Sequence, residues 1–189
     1  MENEPTMKVQ ESARVSGKVV VRSHPAGTID KWKELMQEGR TEEAKALLLK
    51  GKIEVEQKNL IVDSSGYGLD ILVQYLISAY NGSNNFPLGI QWGEIGTGST
   101  APTNADIALT APTNRAAVSN AIDNGFNTAQ IQFFFPDAVL ANTTYYEFGT
   151  FFGGSSAIGS GNMFNHALFS SPYSKSAGSD TTVETDFTF

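Results

Sequence analysis

The chain has 189 residues, no cysteine, and 20 acidic against 13 basic side chains, a formal net charge of −7. That length suits one domain, or one domain with an appendage, and is enough to bury a real hydrophobic core. The missing cysteines exclude a disulfide framework, a thiolate metal site and a cysteine nucleophile, and the acidic balance argues against a general nucleic-acid or anionic-membrane binder. No run approaches the roughly 18 apolar residues of a membrane-crossing helix, and the charged opening MENEPTMKVQESARV does not read as a secretory signal.

The charge is unevenly spread. Residues 1–80 hold 11 Lys/Arg and 12 Asp/Glu, whereas residues 81–189 hold 2 and 8. Every phenylalanine lies in the second part, from Phe86 to Phe189. The first part reads as ordinary sequence with charged helices. The second is aromatic, sparsely charged and rich in Gly, Ser, Thr and Asn, the composition of strands joined by many turns.

In chain order, residues 1–15 read as a flexible polar arm. SGKVVVR (16–22) is β-branched and predicts a strand, broken at Pro25-Ala26-Gly27. Ile29, Trp32, Leu35 and Met36 then share a helical face, with Gly39 placed to end that helix. Thr41 before Glu42 and Glu43 is the expected N-cap of a second helix with stripe Ala44, Leu47 and Leu48, closed by Gly51. KIEVEQKNLIVD (52–63) returns to strand, so residues 16–63 form a strand–helical hairpin–strand unit. LDILVQYLISAY (69–80) is apolar on more than one side and predicts a largely buried helix, closed by Asn81-Gly82.

From there to the end, only strands are expected: 88–95, 129–135, 143–152, 163–170 and 181–189. Period-two alternation is clearest at Ile131/Phe133/Phe135 and at Val183/Thr185/Phe187/Phe189. Asp123-Asn124-Gly125 has the composition of a hairpin turn. The expected fold is mainly β (α+β): an antiparallel β-sandwich over residues 64–189, carrying the buried helix and forming one compact unit with 16–63.

No catalytic constellation emerges. His24 and His166 stand at no ligand-like spacing, and HExxH and GxSxG are absent. Gly93-Glu-Ile-Gly96-Thr-Gly98-Ser-Thr100 lacks the Lys-Ser/Thr of a phosphate loop and reads as a tight turn leaving a strand. Glu94, Asp106, Asp123, Asp137 and Glu147 supply carboxylates, but nothing selects a pair for acid–base work. The DxDxDG spacing of a calcium loop is missing. The final DFTF invites comparison with outer-membrane barrels, yet too few strands are legible to close a sizeable one. The expectation is no enzyme activity, no metal and no cofactor. A deep pocket lined by two of Glu94, Glu147 and His166 would reverse it.

A family resemblance runs through residues 59–189. NLIVDSSGYGLDILVQYLIS, the GTG turn (Gly96-Thr97-Gly98), Pro102, Asp106 and Leu109 come in the order seen in a domain of tailed-bacteriophage virion proteins. ANTTYYEFGTFFG (141–153), with Asn142, Glu147, Gly149 and Phe151 or Phe152, is similar to that family's "A-N-x-T-I-x-E-x-G-L-F" strand. GNMFNHALFSSPYSKSAGSDTTVETDFTF (161–189) is similar to its ending, although Asn165-His166 replaces the usual Ala-Arg and Thr185-Asp186 falls near its usual Trp. Related patterns occur in tail-collar, tail-fibre attachment and decoration-type domains.

The resemblance implies a non-enzymatic structural protein of the virion, assembled in the bacterial cytoplasm. It would be a tail, neck or baseplate adaptor or fibre anchor, or alternatively a capsid decoration (cement) protein. The partners would be other virion proteins and further copies of the chain, with no direct nucleic-acid contact and no membrane span. A host-glycan-binding module, using an exposed aromatic such as Trp92 or Tyr173, is a further alternative. Strand alternation sends adjacent aromatics to opposite faces, so one core cannot bury them all. Phe134, Tyr145, Tyr146, Phe152 and Trp32 are therefore the candidate subunit-interface residues.

Overall fold

A computed structural model describes residues 16–62, 68, 89–123 and 128–188. The expected arm (1–15), the expected buried helix (69–80), its Asn81-Gly82 stop and the Asn124-Gly125 turn lie outside the described residues. Among the described residues there are eight strands: β1 (Ser16–Pro25), β2 (Lys52–Ile61), β3 (Ile90–Gly96), β4 (Pro112–Asp123), β5 (Thr128–Phe135), β6 (Thr144–Phe152), β7 (Asn162–Ser174) and β8 (Ser179–Thr188). Two short helices, α1 (Thr28–Gln37) and α2 (Thr41–Leu49), join β1 to β2. All pairings are antiparallel, and the strands close in the order β1-β2-β7-β6-β3-β4-β5-β8.

The fold is therefore mainly β with a helical hairpin between its first two strands, but it is a closed barrel and not the expected sandwich. Two strands make the difference by changing partners partway along. β2 pairs with β1 over Lys52–Asn59 and then with β7 at Leu60↔His166 and Ile61↔Asn165. β4 pairs with β3 up to Ala117, shifts register between Val118 and Asn120, and continues against β5. Bulges of this kind bend a strand round a corner, so both sheet edges are consumed in closure. β4 was not expected at all: PTNRAAVSNAID is rich in small residues and lacks sustained alternation.

The barrel interior collects one side chain in two from each stave. Val19 and Val21, Val55, Ile95, Phe133 and Phe135, Phe148, Ala167 and Phe169, and Val183 form one buried cluster. Ile61, Phe152, Phe164 and Phe187 continue the core as a second cluster. The alternate positions Lys18, Arg22, Glu54, Glu56, Gln130, Gln132, Glu184 and Asp186 are polar and face outward, the inverse of a barrel wall that faces lipid. No described helix is long and apolar enough to cross a membrane.

The outer wall carries two covers. The helical hairpin lies over one side, where Ile29, Trp32, Leu35, Ala44 and Leu48 pack with Phe134 of β5. Gly39 ends α1 as expected, with a left-handed φ of 72° and the Arg40 N–H donating back to the Leu35 carbonyl. Thr41 is the first helical residue rather than the cap, and Arg40 occupies the cap position without a side-chain bond. On the other side, residues 97–111 and 153–161 fold back over β3, β6 and β7. There Val62, Leu109, Phe151 and Met163 form a small core outside the barrel.

Candidate functional site

The second cover is where the chemistry-bearing residues gather. β6 turns Glu147 outward, and β7 places His166 beside it across the Gly149↔His166 pair. The His166 Nε2 lies 3.1 Å from Glu147 Oε2 and its Nδ1 lies 2.7 Å from Asp106 Oδ2. Glu147 also accepts the backbone N–H groups of Gly98 (3.1 Å), Thr110 (3.0 Å) and Ala111 (2.7 Å). Asp106 accepts the Thr103 N–H at 3.0 Å and its hydroxyl at 2.6 Å. One histidine and two carboxylates thus pin both ends and the middle of segment 97–111.

Burial alone would lower the His166 pKa, but hydrogen bonding and charge from Glu147 and Asp106 reverse this and raise it above its ordinary 6.5. Glu147 is 0% and His166 1% exposed. Burial pushes the Glu147 carboxyl up, while His166 and the Ala111 and Thr110 N–H groups bring it below its usual range. Asp106 follows the same pattern: burial raises it, and Thr103 and then His166 lower it more. A carboxylate oxygen therefore faces each ring nitrogen, an arrangement that favours the doubly protonated imidazolium, which donates from both. Among the described residues no His/Asp/Glu cluster suits a metal ion. The glycines of the GTG turn allow the approach: a Cβ at Gly96 would stand 2.6 Å from Glu147 Oε1, and one at Gly98 would overlap the same oxygen.

A second anchor sits beside the first on the β3–β6 ladder, where Glu94 pairs with Gly149. Arg115 of β4 lies between the rings of Trp92 and Phe151, 5.0 and 4.9 Å from their centroids. Its guanidinium bonds the Glu94 carboxylate and the Ser160 carbonyl, and the Gly159 N–H donates to Glu94 at 2.6 Å. These bonds fasten segment 153–161. A third anchor pairs Lys175 with Asp137, which also accepts the Gly178 and Ser179 N–H groups. The Lys175 bond holds the Asp137 carboxyl below the usual carboxylate range. Asp180 next to it accepts the Ile29 and Asp137 N–H groups, tying the start of α1 to a barrel loop.

No motif or spacing singles out Arg115 or Lys175, yet composition marks both. They are the two basic residues of 81–189, and each side chain is at most 1% exposed within its ion pair. A cation that is rare in an apolar, acidic segment is a candidate for burial against a specific carboxylate.

Four of the five candidate interface residues have their rings covered by the chain itself. Trp32 meets Phe134 edge-on at 4.6 Å beneath the helices. Tyr145 is inside the barrel, stacked on Tyr173 at 6.2 Å, and Phe152 packs against Phe164 at 5.3 Å. Only Tyr146 of the five keeps partial exposure. The extra apolar layers under the helices and loops, which alternation does not reveal, account for the surplus aromatics. Tyr173 is likewise buried, with its hydroxyl 2.8 Å from that of Thr181.

Glu147 and His166 do come together, with Glu94 in the neighbouring anchor; all three are buried beneath loops. His24 is a separate buried group, its Nε2 3.1 Å from the Thr182 hydroxyl. Comparison with family models, curated proteins and solved structures finds no match to this chain.

Proposed function

We propose that this chain is a non-enzymatic structural protein of a tailed-bacteriophage particle, acting through protein–protein contacts as a tail, neck or baseplate adaptor or fibre-anchoring component. The observation that carries this reading is a convergence. Gly96, Gly98, Asp106, Leu109, Glu147 and Gly149, residues on which the virion-family resemblance rests, lie up to 53 positions apart and meet in one buried clamp. Leu109 lies against Gly149, where a Cβ would stand 3.1 Å from the leucine methyl. Motif residues that touch one another act as a structural unit.

The burial of these ionisable groups supports a role in shape rather than reaction. Each anchor spends its charges on backbone N–H groups and loop carbonyls, leaving no nucleophile–base pair facing solvent. Rigid loops on a closed barrel are a good assembly surface, because little conformational entropy remains to be lost when a partner binds.

The test is the number of copies per purified particle, by quantitative mass spectrometry against the major capsid protein. A count matching the symmetry of a ring or fibre anchor supports the adaptor reading. Copies approaching the capsid protein in number would make it a decoration protein. Absence from the particle would overturn both.

A further inference from the structure

A cavity of about 540 Å³ lies between the helical hairpin and the barrel wall, away from the three anchors. That is the size of a small-molecule site. Its roof is mostly apolar, with Trp32, Met36 and Leu48 beside Thr41 and Lys45, and its floor, formed by residues of β1, β4, β5 and β8, is mostly polar. Arg22 stands in that floor opposite Thr182, with its Nε buried and without a hydrogen-bond partner. The guanidinium makes no ion pair with any described residue. A half-buried arginine left unpaired in a concave site is an uncompensated donor, and a bound acceptor is one physical remedy.

The rest of the floor defines what that acceptor belongs to. Asn120 donates to Gln132 and Gln132 donates to Glu184, each at 3.0 Å, while Gln130 donates to Asp186 at 3.0 Å. Each of these amides gives one N–H to a neighbour, and the amide oxygens of Asn120 and Gln130 and the second carboxylate oxygen of Glu184 accept no hydrogen bond among the described residues. Acceptors of this kind suit hydroxyl donors, whereas Arg22 suits an anion. Arg22 and Glu184 are diagonal neighbours on paired strands, roughly 7–8 Å apart at their backbones. One sugar ring spans that distance from a carboxylate to its far hydroxyls, and its C–H face would lie under Trp32 and Met36.

We propose that this cleft binds a sugar acid, with its carboxylate on Arg22 and its hydroxyls on the oxygens of Glu184, Asn120 and Gln130. The site stands independently of any role in a virion, since it uses none of the anchor residues. Titration calorimetry of the full chain with D-glucuronate, D-glucose and hexanoate separates the contributions. Glucuronate should bind roughly tenfold or more tightly than either control, one lacking the charge and the other the hydroxyls. Arg22→Gln should weaken glucuronate by roughly tenfold and leave glucose unchanged, with Arg22→Lys in between.

The location is checked on the unaltered protein by NMR, where glucuronate should shift the Trp32 indole signal and not that of Trp92. Equal affinity for glucuronate and either control would overturn the assignment. So would the absence of binding, an unaffected Arg22→Gln variant, or a shift confined to Trp92.

Discussion

With Glu147 on one ring nitrogen and Asp106 on the other, His166 keeps its second proton to higher pH than an ordinary histidine. Its contribution to stability is complete below 6.5, the unfolded value, and is lost as pH rises through the raised folded value. The carboxylates run the other way. Lowered from 4.5 and 3.8, Glu147 and Asp106 contribute fully above those values and lose that contribution as pH falls through the folded ones. The clamp is therefore strongest between 4.5 and 6.5. The melting-temperature gap between the wild type and His166→Gln should be widest there and shrink on both sides; a gap constant with pH would refute the charged clamp. Removing one partner of a buried pair leaves the other uncompensated, so Glu147→Gln should cost about 3 kcal/mol in urea unfolding. Glu43→Gln, which breaks an exposed pair with Arg40, should leave the midpoint where it is.

At the scale of elements, the helical hairpin is held to the barrel through Trp32 on Phe134, helped by Asp180 at the start of α1. Helices of nine and ten residues are too short to persist unsupported. Trp32→Ala should therefore release the hairpin while sparing the barrel. Hydrogen exchange across α1 and α2 should quicken roughly a hundredfold, and amides of β5 and β8 should keep their protection. Equal loss in both would mean that hairpin and barrel form one cooperative unit. Both helices were legible from apolar spacing and Gly39, because those signals are local. The clamp was not: its histidine and carboxylates are contributed by three separate stretches of chain, and nothing near His166 announces Asp106 or Glu147.

For the whole molecule, closure is uneven. Among the described residues β1 and β8 share ten residue pairs, whereas β2 and β7 share two, Leu60↔His166 and Ile61↔Asn165, continued by a bond from Val62 N–H to the Phe164 carbonyl at 3.2 Å. Protection in native-state exchange follows local pairing and packing, so this seam should open before any other. The Val62 amide should exchange well ahead of those along β8; the reverse order would show that the outer loop layer, not the ladder, sets local stability.

Period-two alternation with β-branched and aromatic residues determined seven of the eight strands within a few residues, and the apolar faces with Gly39 determined the helical pair between the first two. Those signals are written in neighbouring residues. Whether the strands formed a sandwich or a barrel depended on where β2 and β4 change partners, which reflects bends and bulges that composition does not encode. Tertiary structure also decided the destination of the aromatics: alternation counts two faces per strand, but the helical hairpin and the folded-back loops turned parts of the outer face into further cores. It likewise decided the fate of the charges, because a carboxylate's role depends on the cation or N–H groups that folding brings to it from distant positions.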